Sequence, residues 1–376
     1  MRRRSFLQTA LLAWPAAATP PGVRALYAYV GCYTTELRHG RGAGIHVYRV
    51  HPETGELTHV QLLDGLVNPS FLIANPAANF VYSVHGDQHY ATAFSVDPAT
   101  GRLSVINQAD TGGANGVHQA LSNHGRFLVV ANYGSGTVAV LPVREDGRLE
   151  DQIQLVPLEG TPGPNRVEQA ASHPHHIVFD PTGHFVLVPD KGLDRVFVFR
   201  FDPATGHLTP ASSLETRSAA GPRHLAFHPK LPIVWIVNEL NSSITTCAWD
   251  DQTGTLKPLQ ILPTLPPEFT GNSTAAEIAV SAYAHFVYAS NRGHDSIAAF
   301  RIHPGTGLLA PAGWTPARGK VPRSIGFEPG GRFLYSTNEQ GDTVTAFRMA
   351  PETGRLAPVG PPIPNLSAVT ITFKNF

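Results

Sequence analysis

Histidine and charged side chains flank short apolar segments in a chain that is otherwise poor in charge. Only 15% of its 376 residues are Asp, Glu, Lys or Arg. Imidazole titrates near neutral pH and suits general-base work, while the forked guanidinium of arginine binds carboxylates and other anions. These residue types together predict acid–base chemistry on a substrate that carries or develops negative charge. The main candidates are His175, Arg223, Glu239 and Arg292, followed by Lys191, Arg195, His118, Glu277 and Arg323.

The positions of these residues follow an internal repeat. A turn that contains glycine and closes on leucine recurs seven times, and most copies open with Asp or Pro, as tight hairpin turns require. The copies end at Leu57, Leu103, Leu149, Leu208, Leu256, Leu309 and Leu356. The 35 glycines and 33 prolines likewise fit a chain of many short strands.

A second repeated element consists of two apolar strands joined by a turn. Six copies are complete, at residues 69–85, 117–132, 175–190, 223–238, 276–291 and 323–338. The seventh is divided, with its first strand in Asn365–Phe373 and its second in Leu26–Tyr33. Pairing the chain ends within one blade closes a ring without an open edge. The sequence therefore predicts an all-β, seven-bladed β-propeller with four antiparallel strands per blade, over residues 26–376.

The repeat also predicts where the candidate residues meet. The first strand of each blade lines the central channel, and its start lies on the same face as the end of the antiparallel second strand. These positions carry most of the candidates, so seven blades bring them to one channel mouth. The two longest repeat intervals add residues in Glu150–Ser172 and Leu262–Thr274. Both segments connect blades on this same face, as expected of a binding face.

Polar residues at strand ends also have a purely structural explanation. Turn capping is the expected role of Asn132, Asn238, Asn291 and Asn338. His85 and His118 fit a structural role as well as a functional one. Burying a charged side chain raises the free energy of the folded state unless the charge is paired or takes part in function. The four main candidates lie together at one mouth and therefore favour a functional site.

Composition excludes several classes of partner. The chain has 28 basic and 28 acidic residues, so no net field favours nucleic acid or a membrane surface. We expect a monomer without a cofactor, acting on a small molecule.

Cys32 and Cys247 lie in strands of distant blades, where two buried thiols are expected; a single disulfide bond is the alternative.

The first 25 residues predict export. Arg3 and Arg4 open a twin-arginine pattern, a short apolar stretch follows, and cleavage is expected after Ala18 or Ala25. The apolar stretch is shorter than the ~20 residues that span a bilayer. The mature protein is therefore expected to be soluble and periplasmic, with no membrane insertion after signal removal.

Six segments carry a family resemblance, at residues 173–176, 189–195, 221–224, 237–240, 274–278 and 290–293. They resemble the seven-bladed lactonase family, which includes bacterial 6-phosphogluconolactonases and fungal carboxy-muconate lactonizing enzymes, and the resemblance extends from Ala28 to Phe373. The fungal branch implies catalytic roles for one His, two Arg and one Glu. These fall on His175, Arg223, Arg292 and Glu239. The resemblance implies hydrolysis of a sugar lactone or another anionic lactone. Sugar-phosphate metabolism is cytosolic whereas this chain is expected to be exported, so the substrate is left open as phosphorylated or not.

Lactone hydrolysis needs an activated water and a stabiliser for the charge that develops on the carbonyl oxygen. His175 is the expected base, and Arg223 or Arg292 is the expected oxyanion donor. Glu239 is expected either to orient an arginine or to act as the base itself. Further substrate contacts are expected from Lys191, Arg195, His118, Glu277 and Arg323.

Three other functions fit parts of the pattern. A muconate-type cycloisomerase would use the same four residues in the ring-closing direction, and a non-catalytic periplasmic binding propeller would need none of them. A catalytic metal could use His173 and His175, which would share a strand face while His176 points away. No third ligand follows from the spacing, and we predict no metal.

Overall fold

The computed structural model describes residues 25–376, which form the predicted propeller of seven blades. Each blade is a four-stranded antiparallel sheet. The expected export signal lies outside the described residues, apart from Ala25. Within residues 25–376, no helix has the length and apolar character needed to cross a membrane.

The blades follow one another along the chain. In chain order the strands are β1 (Leu26–Cys32), β2 (Gly44–Val50), β3 (Leu57–Asp64), β4 (Pro69–Ala74), β5 (Phe80–His85), β6 (Tyr90–Val96), β7 (Leu103–Asp110), β8 (Gly116–Leu121), β9 (Phe127–Asn132), β10 (Thr137–Pro142), β11 (Gln154–Pro157), β12 (Val178–Phe179), β13 (Phe185–Asp190), β14 (Arg195–Phe201), β15 (Leu208–Glu215), β16 (Pro222–Phe227), β17 (Ile233–Asn238), β18 (Ser243–Asp250), β19 (Thr255–Pro263), β20 (Thr274–Val280), β21 (Phe286–Arg292), β22 (Ser296–Ile302), β23 (Leu309–Pro316), β24 (Pro322–Phe327), β25 (Phe333–Asn338), β26 (Thr343–Met349), β27 (Leu356–Pro364) and β28 (Ala368–Asn375). A short 3₁₀ helix, Glu36–Arg38, lies between β1 and β2. Blades 1 to 6 begin at β4, β8, β12, β16, β20 and β24, and blade 7 joins β28 to β1, β2 and β3.

The pairing of the two chain ends in blade 7 is confirmed, with β28 antiparallel to β1. The first strand of this blade begins at Ala368, three residues later than the predicted start of Asn365–Phe373. Residues 365–367 form a turn instead, because Ser367 has a φ of 47° and the Asn365 amide donates to the Asp342 carbonyl at 2.8 Å. The strand pattern therefore starts only after this left-handed residue.

The repeated glycine turns hold neighbouring blades together. All seven glycines have φ between 68° and 84°, a region that favours glycine. Each packs against a large side chain of the preceding blade, where a Cβ atom would lie only 2.3–2.8 Å from it. The pairs are Gly55–Phe333, Gly101–Tyr27, Gly147–Phe80, Gly206–Phe127, Gly254–Phe185, Gly307–Ile233 and Gly354–Phe286. The repeat that reveals the fold in the sequence is therefore also an inter-blade contact.

The two long connections reach the face where the first strands begin. Part of the first predicted segment, Glu150–Ser172, is the strand β11, so the connection itself starts at Leu158. Its Gln169 side chain donates to the Lys191 carbonyl at 2.9 Å. In the second connection, the Ser273 hydroxyl donates to the Arg292 carbonyl at 3.0 Å. Both connections therefore brace the second-strand ends that carry candidate residues.

Both cysteines are buried free thiols, as expected. Cys32 lies in β1 with its Sγ 3.1 Å from Asn365 Oδ1, and Cys247 packs inside β18. Burial raises the pKa of each thiol to about 12. Neither is therefore a ready nucleophile, because the thiolate is the reactive form.

Candidate active site at the channel mouth

The first strands converge on the propeller axis, and neighbouring ones contact each other around it. In several of them a β-bulge stands at the start of the strand. The register shifts lie between Pro69 and Phe71, Gly116 and His118, Pro222 and His224, Ala275 and Ile278, and Pro322 and Ser324. A bulge leaves one residue out of the ladder and re-aims its side chain. Arg223 and Arg323 are such residues.

In blade 3 the same position is occupied by His175, but the strand is interrupted there. Only Val178–Phe179 pairs regularly, and Pro174 makes an isolated bridge to Asp190. The buried Asp190 carboxylate accepts hydrogen bonds from the backbone of His173 (2.8 Å) and Gly192 (2.9 Å) and from the Ser172 hydroxyl (2.5 Å). Asp190 therefore fixes the loop that carries His175.

The second strands end in another set of mouth residues, one from each blade. At or just after these ends stand Tyr33, Gly86, Tyr133, Lys191, Glu239, Arg292 and Glu339. Three of them meet directly: Glu239 lies 3.0 Å from Arg292 and 3.6 Å from Lys191. Together with His175 and Arg223, these three residues form what we call the mouth cluster.

Glu239 is the centre of the mouth cluster. Its Oε2 accepts a hydrogen bond from Arg223 Nη1 at 2.6 Å, and its Oε1 faces the other two cations. Burial alone would raise the pKa of Glu239, but the charges of Arg292, Arg223 and Lys191 hold that pKa well below its ordinary value. Glu239 is thus an ionised carboxylate that orients arginines, which leaves it poorly suited to be the base.

His175 is a neutral imidazole beside this charged group. Burial, with the charges of Arg223 and other nearby cations, holds the pKa of His175 well below its ordinary value. Its Nε2 accepts a hydrogen bond from Arg223 Nη1 at 2.5 Å, and its Nδ1 lies 3.3 Å from His224 Nε2. The ring therefore has its basic nitrogen on the side of the arginine.

The two arginines of the mouth cluster are held differently. Arg223 is buried, donates from Nε to the Ala276 carbonyl at 3.0 Å, and has its pKa lowered to about 10 by burial. Arg292 contacts Glu239 and the Ala275 carbonyl through Nη2. Its buried Nε has no hydrogen-bond partner among residues 25–376. A buried donor without a partner calls for an explanation, and a bound substrate would supply one.

Lys191 and Arg323, two of the expected substrate contacts, lie in or beside the mouth cluster. Lys191 Nζ is 2.7 Å from Glu168 of the first long connection. Arg323 lies 3.7 Å from Glu339, with its guanidinium 5.3 Å from the centre of the Tyr33 ring. Both cations therefore border the same opening.

Arg195 stands apart from the mouth cluster. It begins β14, the third strand of its blade, and its Nη2 bonds to Glu215 at 2.8 Å. The third strand lies away from the channel, so this side chain is on the outer part of the face. The structure does not bring Arg195 to the expected substrate site.

His118 and Glu277 lie one residue further along their strands than the mouth position assigned to them from the sequence. They belong to a second layer below the mouth cluster, which we call the lower ring. The lower ring consists of Phe71, His118, His176, His224, Glu277 and Ser324. Its rings pack against one another in succession, with centroid distances of 3.9 Å for the tilted pair His118–His176 and 4.2 Å for the stacked pair His176–His224. The lower ring fills the channel beneath the mouth.

The three histidines considered for a metal are separated by the fold. His173 stacks on Tyr133 at 4.3 Å, His175 joins the mouth cluster, and His176 belongs to the lower ring. Across residues 25–376, no group of three or more His, Cys, Asp or Glu side chains is arranged to hold a metal ion.

Sequence reasoning missed Tyr33, Tyr133 and His224. Both tyrosines occupy the repeat position of Lys191 and Glu239, so alignment of the second-strand ends could have found them. His224 follows Arg223 directly, and its role emerges only from the contact between its Nε2 and His175.

Comparison with known proteins agrees with this architecture. A sequence profile described as lactonase, 7-bladed beta-propeller, matches residues 27–373. The chain belongs to this lactonase family. The 6-phosphogluconolactonase of Bacillus subtilis (strain 168) is 32% identical over 303 residues, which cover 80% of this chain and 84% of that relative. That of Formosa agariphila is 30% identical over 315 residues, covering 81% and 87%.

A solved structure extends the comparison. The periplasmic gluconolactonase of Pseudomonas aeruginosa has a TM-score of 0.85 and 30% identity, over 93% of this chain and 99% of that one. The predicted fold and the expectation of a lactonase-type enzyme are therefore confirmed at the level of the family.

Proposed function

We propose that the mouth cluster hydrolyses an aldonolactone, with His175 as general base and the two arginines as binders of the carbonyl oxygen. The observation that carries this proposal is the hydrogen bond from Arg223 Nη1 to His175 Nε2 at 2.5 Å, inside a group of cations centred on Glu239. A neutral base and a guanidinium lie side by side, as water activation and oxyanion binding require.

In this mechanism the lactone carbonyl oxygen takes over the hydrogen bond from Arg223. The His175 Nε2 lone pair then accepts a proton from water, and the water oxygen bonds to the carbonyl carbon. The ring C–O bond breaks next, and the proton on His175 passes to the departing ring oxygen. The product is a hydroxy acid, whose carboxylate suits Arg223 and Arg292 as bidentate partners.

Glu239 keeps the arginines in place during these steps. Without it, three cations, of which Arg223 and Lys191 are buried, would repel each other, and the guanidinium groups would turn toward other acceptors. The free Nε–H of Arg292 is then available to the substrate. Lys191 and Arg323 border the opening and would contact hydroxyl or phosphate groups on the rest of the lactone.

The experiment measures acid release by the purified protein from gluconolactone, 6-phosphogluconolactone and simple γ-lactones. We expect turnover of aldonolactones by the wild type and its loss in Arg223→Ala. The matched control is Arg195→Ala, which removes an arginine on the outer part of the same face, where it bonds to Glu215. The proposal fails if no lactone is hydrolysed, if muconates are the better substrates, or if the two variants lose activity equally.

We also propose that the reaction takes place in the periplasm. The support is the Arg3-Arg4 pattern at the start of the chain and the similarity to a protein described as a periplasmic gluconolactonase. Replacing Arg3 and Arg4 by lysine should retain the protein in the cytoplasm of its native host. Equal amounts of wild type and variant in the periplasmic fraction would contradict this proposal.

A further inference from the structure

A chain of hydrogen bonds runs from the mouth cluster down into the lower ring. Arg223 Nη1 lies 2.5 Å from His175 Nε2, His175 Nδ1 lies 3.3 Å from His224 Nε2, and His224 Nδ1 lies 2.5 Å from Glu277 Oε1. All four side chains are buried. Buried polar groups are stabilised by such bonds only when each donor meets an acceptor.

The direction of this chain follows from its first member. A guanidinium can only donate, so His175 Nε2 must be an acceptor, and the proton of the neutral His175 ring is on Nδ1. That N–H donates to His224 Nε2, which places the proton of His224 on its Nδ1. The last bond therefore ends on the Glu277 carboxylate, which accepts it.

The other two histidines of the lower ring are held in the opposite tautomer. The backbone N–H of Ile177 donates to His118 Nδ1 at 3.2 Å, and that of Leu225 donates to His176 Nδ1 at 3.4 Å. A backbone N–H is also only a donor, so these rings carry their protons on Nε2. They pack beside His224 without entering the chain that reaches His175.

We propose that His224 and Glu277 are positioning residues, which orient His175 and stabilise the positive charge it gains as general base. This inference rests on the function proposed above and adds two residues to it. When His175 accepts a proton at Nε2, its Nδ1–H donates more strongly to His224. His224 in turn donates more strongly to the Glu277 carboxylate. No proton has to leave the chain, because the carboxylate balances the charge through two hydrogen bonds.

The surroundings of Glu277 support this role. The charged and titratable groups that face it are His224, His176 and, further away, Arg223, and the Ser324 hydroxyl lies 3.4 Å from Oε2. Burial raises the pKa of Glu277 to about 7. The ionised fraction of Glu277 therefore grows as the pH rises through about 7. Only this ionised form stabilises a positively charged His175.

The test compares Glu277→Gln with a control of matched position. Glu277→Gln keeps the size and an acceptor for His224 but removes the negative charge. We expect kcat on the best lactone to fall about 10–100-fold, a loss typical of removing such an orienting partner, with little change in KM. In the wild type, kcat should fall as the pH drops below about 7, because Glu277 becomes protonated. This fall should be absent in Glu277→Gln. Phe71→Leu alters the same repeat position in another blade, where the ring packs on His118, and should retain the wild-type profile.

A spectroscopic measurement tests the same proposal without turnover. Two-bond ¹H–¹⁵N NMR of the wild-type protein should show His175 protonated on Nδ1 and His176 on Nε2. The His175 ring should also become protonated at lower pH in Glu277→Gln than in the wild type. His175 protonated on Nε2, or equal titration in both proteins, would overturn the proposal.

The two failures can be told apart. A wild type that hydrolyses no lactone refutes the proposed function, and the NMR result still decides the hydrogen-bond chain. A wild type that hydrolyses lactones, together with a Glu277→Gln variant of unchanged kcat, refutes the positioning role alone. Equal losses in Glu277→Gln and Phe71→Leu would also refute it, because the lower ring would then have only a structural role.

Discussion

Replacing Glu239 by glutamine is the perturbation whose effect on stability follows most directly from the structure. The carboxylate faces Arg223 at 2.6 Å, Arg292 at 3.0 Å and Lys191 at 3.6 Å. Removing one partner from a buried ion pair costs about 3–5 kcal/mol, because the remaining charges stay buried without compensation. At about 2 °C per kcal/mol for a chain of this size, the unfolding midpoint should fall by roughly 6–10 °C.

The pH dependence of this loss has a definite sign. The folded-state pKa of Glu239 lies well below the ordinary value of 4.5. Its ionised form therefore stabilises the fold fully above pH 4.5, and this contribution is lost as the pH falls through the folded-state pKa. The stability difference between wild type and Glu239→Gln should accordingly be largest near neutral pH and narrow in acid.

Urea unfolding followed by tryptophan fluorescence, at several pH values, measures this difference. Glu339→Gln is the matched control, because Glu339 occupies the same repeat position but pairs with one cation among residues 25–376, Arg323 at 3.7 Å, and is more exposed. That variant should lose at most about 1 kcal/mol, as expected of partly exposed pairs. Equal losses in the two variants, or no loss in Glu239→Gln, would refute the reasoning.

Three further predictions concern other parts of the chain. Gly101→Ala should lower the free energy of unfolding by about 1–3 kcal/mol in urea titrations, because Gly101 has a φ of 72° and abuts Tyr27; an unchanged midpoint would contradict this. The native protein should leave both cysteines unmodified by a thiol reagent that labels two in urea, since both are buried; rapid native labelling would oppose it. Chelators should leave lactone turnover unchanged, and a loss restored by added metal would contradict the metal-free mechanism.

The sequence predicted the propeller because its repeat is encoded twice, in the glycine turns and in the paired apolar strands. Both have physical causes that operate in every blade: a left-handed turn packed against a large side chain of the preceding blade, and strands buried between sheets. The start of β28 was misplaced because Ser367, a residue with no intrinsic need for positive φ, adopts a left-handed conformation there.

The candidate site was predicted in part. The repeat placed His175, Arg223, Glu239 and Arg292 at one mouth, and the structure brings these four into contact. His118 and Glu277 were placed one layer too high, because they were grouped with Arg223 although they occupy the repeat position of His224, one residue later.

Other features depend on atomic contacts that spacing cannot supply. Asn132, Asn238, Asn291 and Asn338 were expected to bond turn backbone. All four donate to hydroxyl groups of the adjacent third strand, and Asn132 and Asn291 also donate to backbone carbonyls of the connections. The choice between His175 and Glu239 as base was open in the sequence. The structure favours His175, because three cations keep Glu239 ionised and engaged.

The most direct test of the central claim is the rate of acid release from gluconolactone by His175→Ala, measured in a pH-stat beside the wild type. General-base catalysis contributes about 10²–10⁴-fold, so kcat should fall by that factor while the variant remains folded. The control is His173→Ala, two residues before His175 in the sequence, which alters a ring packed on Tyr133. This variant should keep most of the turnover. Wild-type turnover in His175→Ala would show that another group activates the water and would contradict the mechanism.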